Sequence, residues 1–190
     1  MKQYNGYKSE MMKAYEQLPV GGYVCVIKHA EEKMYSWGSR LEISVDVAEG
    51  EYKGFFAKAF KDNNREDKKW GAVYRVTVPS DDGSEKDEWS KRTFNNFVGC
   101  VEDANTGYKW DWNEKSLVNK KVALVFRNEE WEYEGKTGWK VKPFKCISVG
   151  DCKDGKWGKY DDKPLSNNGS APVPTMPDLS GDDGDLPWID

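Results

Sequence analysis

Apolar and polar residues alternate strictly along residues 40–47, where Leu41, Ile43, Val45 and Val47 occupy every second position. This period of two is typical of an antiparallel strand with one buried and one solvated face. Other runs rich in β-branched and aromatic residues, separated by Gly, Pro and Asp, predict further strands. The last two runs, joined by residues 134–138, have the spacing of a hairpin. The predicted strands cover residues 23–29, 40–47, 52–60, 70–78 (separate from 52–60 or its continuation), 122–126 leading to 131–133, and 139–149.

One internal helix is predicted over residues 90–105. Ser90 can cap its N-terminus and Gly107 can close it. Apolar residues in between recur at the i, i+3, i+4, i+7 spacing of a helix face that packs on a core. These residues are Phe94, Phe97, Val98 and Val101.

The order of these elements is three strands or two with a long broken one, then a helix, then two strands. An OB fold has this order, as a five-stranded closed or nearly closed Greek-key barrel with a helix between strands three and four. An SH3-like barrel would fit the strands but not a helix of that length at that point. We therefore predict a mainly β, OB-like domain over residues 18–165, preceded by a lead-in of residues 1–17 that includes a short helix over 7–17.

Residues 166–190 have a different composition. The segment 166–177 consists mostly of Ser, Asn, Gly, Pro and Ala, which cannot bury enough apolar surface to fold, so we expect disorder. After it, aspartates lead into a small apolar tip. We interpret the tip as a peptide for a partner protein, with charges that steer it and an apolar anchor; the alternative is an acidic solubility tail. The predicted partner-binding residues are Asp182, Asp183, Asp185, Leu186, Pro187 and Trp188.

The charge of the chain is unevenly distributed. The formal net charge is -4, but residues 166–190 hold five aspartates and no Lys or Arg. Residues 1–165 therefore carry +1. The acidic balance of the whole chain thus does not exclude nucleic acid as a ligand of the domain.

Four cysteines lie far apart without a CxxC pair, and only Cys146 and Cys152 are close, with no His at zinc-finger spacing. We expect reduced thiols, no metal and no cofactor. No apolar segment at the N-terminus suits a signal peptide, and no window approaches a membrane span, so we expect a cytoplasmic protein.

Catalytic motifs are missing from the sequence. The one histidine, His29, has no accompanying serine or cysteine motif, and no Walker A or GxSxG pattern occurs. A metal-dependent nuclease built from Asp46, Glu49 and Glu51 is an alternative, but their spacing follows no two-metal pattern. We predict a protein that is not an enzyme.

Basic residues interleave with aromatic ones in two regions. Residues 53–75 carry a local charge of +4, and residues 127–142 form the second cluster. Cations that follow phosphates and flat rings that stack on bases are what single-stranded nucleic acid requires. The predicted binding residues are Lys53, Lys58, Lys61, Arg65, Lys68, Lys69 and Arg75 in the first cluster, Arg127, Lys140 and Lys142 in the second, and the stacking candidates Trp37, Trp70, Tyr74, Trp131 and Trp139.

With an OB-like element order over residues 18–149 and an acidic tail that ends in Leu186, Pro187 and Trp188, the chain resembles the single-stranded-DNA-binding proteins of bacteria and their phages. The segments 18–23 and 125–131 look similar to phage replication-module proteins of Firmicutes. The resemblance implies sequence-tolerant DNA binding in phage replication or recombination, and a tail that recruits replication or recombination proteins. The tail departs from the family: Trp188 replaces Phe, and Ile189 and Asp190 separate it from the terminal carboxylate that helps dock the family's tip.

Two other functions fit the same residues. One is a recombination-accessory or protein-interaction module that binds DNA weakly. The other is a carbohydrate-binding β-domain, because exposed tryptophans also stack on sugars. The missing signal peptide and the acidic tip argue against the second.

Overall fold

The computed structural model describes residues 2, 4–7, 9 and 16–165. Five strands, three α-helices and one 3-10 helix make up this part of the chain. In chain order they are β1 (Gly21–Tyr35), β2 (Gly38–Val47), α1 (Phe55–Asp62), β3 (Val73–Thr77), α2 (Glu85–Ala104), the 3-10 helix (Glu114–Leu117), β4 (Lys121–Tyr133), β5 (Lys136–Ile147) and α3 (Val149–Lys153).

All five strands belong to one antiparallel sheet in the order β3-β2-β1-β4-β5. The sheet is open, because β3 and β5 are its two edges and share no ladder of hydrogen bonds, although they lie close together. The predicted mainly β class is confirmed, with the long helix between the third and fourth strands. The closed barrel is not seen.

Strand β1 connects the two halves of the sheet. Its first part pairs with β4, and the part from Cys25 onward pairs with β2, with a register shift between Ile27 and His29. On the outside of β1 the indole of Trp157 packs against Gly22, where a Cβ would lie 2.7 Å from a ring carbon. Glycine is therefore needed at position 22 for the segment after α3 to cover this strand.

The strand predicted over residues 52–60 is wrong, because the segment from Phe55 is helix α1. Gly54 turns the chain with a φ of 75°, and the buried carboxylate of Asp46 accepts the backbone N–H of Phe56 at 2.9 Å. This hydrogen bond satisfies a free donor at the helix N-terminus. Phe55 and Phe60 are partly buried, and the buried Phe56 stacks on Phe126 at 5.9 Å between ring centroids.

Helix α2 is confirmed, but it begins at Glu85 rather than at Ser90. Ser84 is the cap, and its hydroxyl accepts the N–H of Asp87 at 3.1 Å. Ser90 lies inside the helix, where its buried hydroxyl donates to the carbonyl of Lys86. The strand predicted over 70–78 is the shorter β3, since residues 63–72 form a loop.

The predicted inward face of β2 is confirmed: Leu41, Ile43, Val45 and Val47 are all buried. They pack with the stripe of α2 and with β4 in one hydrophobic core. All four cysteines are buried and free. Within the described ranges, no helix is long and apolar enough to span a membrane.

Two predictions lie outside the described residues. The helix over residues 7–17 falls mostly on positions that the structure does not describe. The acidic tail lies wholly beyond Leu165, with its tip residues Asp182, Asp183, Asp185, Leu186, Pro187 and Trp188.

Candidate nucleic-acid interface

A groove of about 270 Å³ lies between the edge strands β3 and β5, and the first half of α2 forms one side of it. We call it the β3–β5 groove. Six cationic side chains and a single carboxylate line it, together with three aromatic rings. The cations are Arg40, Arg75, Lys86, Arg127, Lys142 and Lys163, the carboxylate is Glu129, and the aromatic residues are Tyr74, Trp89 and Phe144.

On the β2–β3 side, Glu42 holds two of the groove arginines. Its carboxylate accepts hydrogen bonds from Arg40 at 2.7 Å and from Arg75 at 3.1 Å, and Lys33 lies 3.0 Å away. Burial disfavours the charged form of Glu42, but the three cationic donors outweigh it and lower its pKa to about 2. Glu42 is therefore ionised at neutral pH and keeps both guanidinium groups in place.

On the β4–β5 side, Glu129 has the same relation to Arg127 and Lys142. Its carboxylate oxygens lie 3.5 Å from an Arg127 nitrogen and 3.4 Å from the Lys142 ammonium. The Arg127 guanidinium also lies 4.3 Å from the ring centroid of Phe144, a cation–π contact. Each of the two carboxylates, Glu42 and Glu129, thus lies close to at least two cations, so net positive charge remains on both sides of the groove.

The α2 side is fixed by Asp87. This buried carboxylate accepts the backbone N–H groups of Ser80 and Asp81 at 2.9 Å and pairs with Lys91 at 3.0 Å. These contacts tie the β3–α2 loop to the first turn of α2. Residues 81–84 form the turn before α2, and the first residues of the helix then place Lys86 and Trp89 at the groove.

An aromatic pair lies at the β1–β2 turn beside the groove. The ring of Trp37 stacks on Tyr35 with centroids 5.1 Å apart. The Arg40 guanidinium lies 4.7 Å from the Tyr35 centroid, and the Lys86 ammonium lies 5.7 Å from that of Trp37. The predicted stacking residue Trp37 therefore adjoins two cations that line the groove.

The structure brings four predicted residues together in the groove. Arg75, Arg127 and Lys142 contribute charge from three different strands. Tyr74 contributes to the floor, because it is 8% exposed and its ring packs 5.9 Å from Phe97. A ring buried to that degree belongs to the core and offers no free face to a base.

The first predicted cluster does not stay together. Arg75 on β3 lines the groove, but the other members lie just before α1, on α1 or in the loop after it, and none of them lines the groove within the described ranges. Trp70 faces inward, since its indole N–H donates to the Val45 carbonyl at 2.7 Å and its ring packs on Phe60. The residues that the structure separates from the groove in this way are Lys53, Lys58, Lys61, Arg65, Lys68, Lys69 and Trp70.

The outer part of the β4–β5 hairpin carries the rest of the second cluster. Trp131 packs against Gly138, and the Lys140 ammonium lies 5.3 Å from the Trp131 ring centroid. Trp139 is 41% exposed. Trp131, Trp139 and Lys140 do not belong to the groove lining of the described chain. They form a separate basic and aromatic surface.

Sequence reasoning missed Arg40, Lys86, Trp89, Phe144 and Lys163. Arg40 lies on the polar face of the alternating strand, which gave no sign of a ligand. Lys86 and Trp89 lie within an acidic stretch, and Lys163 reaches β4 through a single parallel bridge to Glu129. Four segments that are remote in sequence supply these side chains, so no local pattern could have found them.

Two of the three acidic residues weighed for a nuclease, Asp46 and Glu49, have structural partners. Asp46 accepts backbone N–H groups of Val47 and Phe56, and Glu49 pairs with Lys121 and Lys153. The described residues contain no group of three or more His, Cys, Asp or Glu side chains that could hold a metal ion. No protein-family model matches the chain, and no curated protein matches it in sequence.

Proposed function

We propose that the chain binds single-stranded DNA without sequence preference, and that it does so in phage DNA replication or recombination. The observation that carries the proposal is the β3–β5 groove, with six cations against one carboxylate and aromatic rings on its walls. Cations neutralise backbone phosphates whatever the sequence. The proposed function needs no catalytic step, and it takes place in the cytoplasm of the host cell.

The aromatic surfaces favour single strands over duplexes. Trp37, Trp89 and Phe144 lie at or beside the groove, and all three are partly exposed. Base–aromatic stacking requires an unpaired base whose face is free. A duplex keeps its bases stacked on each other, so it can use only the charges of such a groove.

The strand order supports an OB-like barrel as the finer description of the fold. The order β3-β2-β1-β4-β5 is that of a five-stranded barrel opened between β3 and β5, with α2 between strands three and four. OB folds bind oligonucleotides on strands two and three and on the loops after strands one and four. Trp37 lies at the first of these loops, and Trp131 and Trp139 flank the second.

The second part of the proposed function is that residues 182–188 of the tail recruit replication or recombination proteins. The described chain ends at Leu165, whose N–H donates to Glu130 on β4, and Lys163 lines the groove. The tail therefore starts beside the groove, and the twelve residues 166–177 separate it from its apolar tip, which in our proposal binds a second protein.

A protein-interaction module is the second candidate, favoured by Trp112. This residue is 76% exposed, has a φ of 61°, and stacks on Phe94 at 6.0 Å outside the groove lining. Positive φ is unfavourable for a bulky side chain, so an exposed indole held in this way has the character of an interaction anchor.

One competition titration separates the candidates. Fluorescein-labelled oligo-dT is titrated with the full chain and then challenged with unlabelled oligo-dT, matched duplex or a panel of soluble glycans. We expect tight binding that excess single strand reverses and that duplex or glycan reverses poorly. Equal competition by duplex contradicts single-strand preference, and saturable binding of a glycan in place of DNA would establish the carbohydrate-binding alternative.

A further inference from the structure

Two arginines of the β3–β5 groove have a hydrogen-bond donor without an acceptor. The Nε atoms of Arg40 and Arg127 are buried, and neither has a partner among the described residues. The third buried side-chain atom without a partner in this part of the chain, Trp110 Nε1, lies outside the groove. A buried cationic donor without an acceptor costs free energy, so its persistence in a cavity needs an explanation.

Among the described residues, both guanidinium groups make their polar contacts through Nη2 alone. Arg40 Nη2 donates to Glu42 at 2.7 Å and to the Tyr35 hydroxyl at 3.0 Å. Arg127 Nη2 lies 3.5 Å from Glu129. Nη2 of each guanidinium group is therefore held by a carboxylate, and Nη1 has no polar partner among the described residues. A ligand can therefore accept from Nη1 without displacing the carboxylate, and the buried Nε is reached only after the side chain shifts.

The two arginines come from different walls. Arg40 belongs to β2 and Arg127 to β4, yet both line the same groove of about 270 Å³. Charged N–H groups form short, strong hydrogen bonds with phosphate oxygens, and guanidinium groups suit phosphate geometry. A neutral acceptor would satisfy the hydrogen bond but would leave the surplus positive charge of the groove uncompensated.

We propose that Arg40 and Arg127 form a two-arginine site for one phosphate group of a nucleic-acid backbone, and that Glu42 and Glu129 are positioning residues of this site. The inference rests on the proposed function and names the part of the groove that takes the phosphate. Lys86 and Lys163, which form no ion pair within the described ranges, add charge beside it.

The role of the carboxylates has an unusual consequence. Removing a carboxylate from a site that binds a polyanion normally raises affinity, because net charge becomes more positive. Here the loss of Glu42 also frees the Arg40 side chain of the site, which binding must then order again. Ordering a rotamer-rich side chain costs about 0.5–1.5 kcal/mol, which corresponds to roughly a two- to ten-fold weaker Kd.

The test compares Glu42→Gln with Glu32→Gln in the full chain. Both substitutions remove one negative charge, but Glu32 is exposed on β1 and has no ion pair among the described residues. We expect Glu42→Gln to weaken oligo-dT binding two- to ten-fold, and Glu32→Gln to leave it unchanged or slightly tighter. If both variants tighten binding equally, Glu42 acts only as a negative charge and the positioning role is wrong.

A second measurement uses the unaltered protein and inorganic phosphate. In NMR spectra of the arginine Nε–H groups, we expect the Arg40 and Arg127 signals, assigned with Arg40→Lys and Arg127→Lys, to move together as phosphate is added. Movement of neither signal, or of every arginine signal alike, overturns the two-arginine site. Oligo-dT binding without these shifts would contradict the site alone, whereas no binding of oligo-dT would contradict the proposed function itself.

Discussion

The rings of Tyr35 and Trp37 lie 5.1 Å apart and only 9° from parallel, at the turn between β1 and β2. Tyr35 also donates to Glu42 and accepts from Arg40, so the ring pair is joined to the groove arginines. A stacked pair on a hairpin turn contributes little to the core. Because the pair lies beside Lys86, a base that extends out of the groove can stack on it.

Trp37→Ala should therefore lower affinity for oligo-dT and spare the fold. Loss of one stacking ring costs about 1–3 kcal/mol of binding free energy. The measurement is a fluorescence titration of each variant, with quenching of tryptophan emission as a second signal. Trp112→Ala is the matched control, because Trp112 is exposed but outside the groove lining. An equal loss in both variants would mean that the β1–β2 turn has no special role.

Trp70→Ala, by contrast, should lower the stability of the fold and spare DNA binding. It removes the hydrogen bond to the Val45 carbonyl and the packing on Phe60. We expect up to about 3 kcal/mol lower free energy of unfolding, with oligo-dT affinity unchanged in the folded protein. Urea unfolding and DNA titration of the same preparation check both parts. Normal stability together with weakened DNA binding would show that Trp70 stacks on DNA and does not belong to the core.

Asp87 should make stability depend on pH in the acid range. Burial opposes its charge, but Lys91 and backbone N–H groups outweigh this and lower its pKa to about 2. Because the folded-state pKa lies below the unfolded value of about 3.9, the stabilisation is complete above that value and is lost as pH falls towards 2. Glu42 adds to the same loss, since its pKa is also about 2.

The test of the Asp87 role is the melting temperature from pH 7 to pH 2. Asp87→Asn should be less stable at pH 7 and should lose less on acidification than the unaltered chain. Asp67→Asn, on an exposed loop residue, is the control and should follow the unaltered curve. Parallel curves for all three proteins would show that Asp87 does not stabilise the loop before α2.

The tail should compete with DNA and should carry the partner site. Deleting residues 178–190 changes the formal net charge from -4 to +1. A tethered acidic segment has a high effective concentration near its own domain. We expect the truncated chain to keep its melting temperature, to bind oligo-dT more tightly at low salt, and to lose its partner in a pull-down from host lysate. Weaker DNA binding or a lower melting temperature after truncation would make the tail part of the fold or the groove.

Trp188→Ala separates charge from recruitment. The five aspartates remain, so competition with DNA should stay, while loss of the apolar anchor should abolish the pull-down. If the variant still captures the partner, the tip is not the anchor.

Local patterns predicted the elements whose periods are regular. The alternation of β2, the stripe of α2 and the β4–β5 hairpin all follow from residue spacing. Helix α1 was missed because the carboxylate that accepts an N–H of its first turn, that of Asp46, lies ten residues before Phe56, and because Phe55 and Phe56 also suit a strand. In β3 the period of two does place Tyr74 and Val76 inward and Arg75 outward, as the structure has them. Tyr74 could therefore have been assigned to the core.

Local sequence patterns could not predict the groove. Arg75, Arg127 and Lys142 were singled out as members of two separate clusters, and only the coiling of the sheet brings β3 near β5. The α1 lysines were grouped with Arg75 because they are close in sequence. The open sheet edge, rather than sequence proximity, decides which cations share a surface.

The central claim is that the β3–β5 groove, not the α1 surface, binds single strands. The test compares two double variants. One carries Lys86→Glu and Lys163→Glu in the groove. The other carries Lys58→Glu and Lys61→Glu, which make the same charge change on exposed residues of α1. Oligo-dT affinity is measured across a salt series, where the log–log slope is about -0.7 for each phosphate neutralised. The groove pair should weaken binding and flatten the slope by about 1.4, and the α1 pair should change neither by a comparable amount. Equal effects of the two pairs, or a larger effect of the α1 pair, would contradict the assignment of the groove.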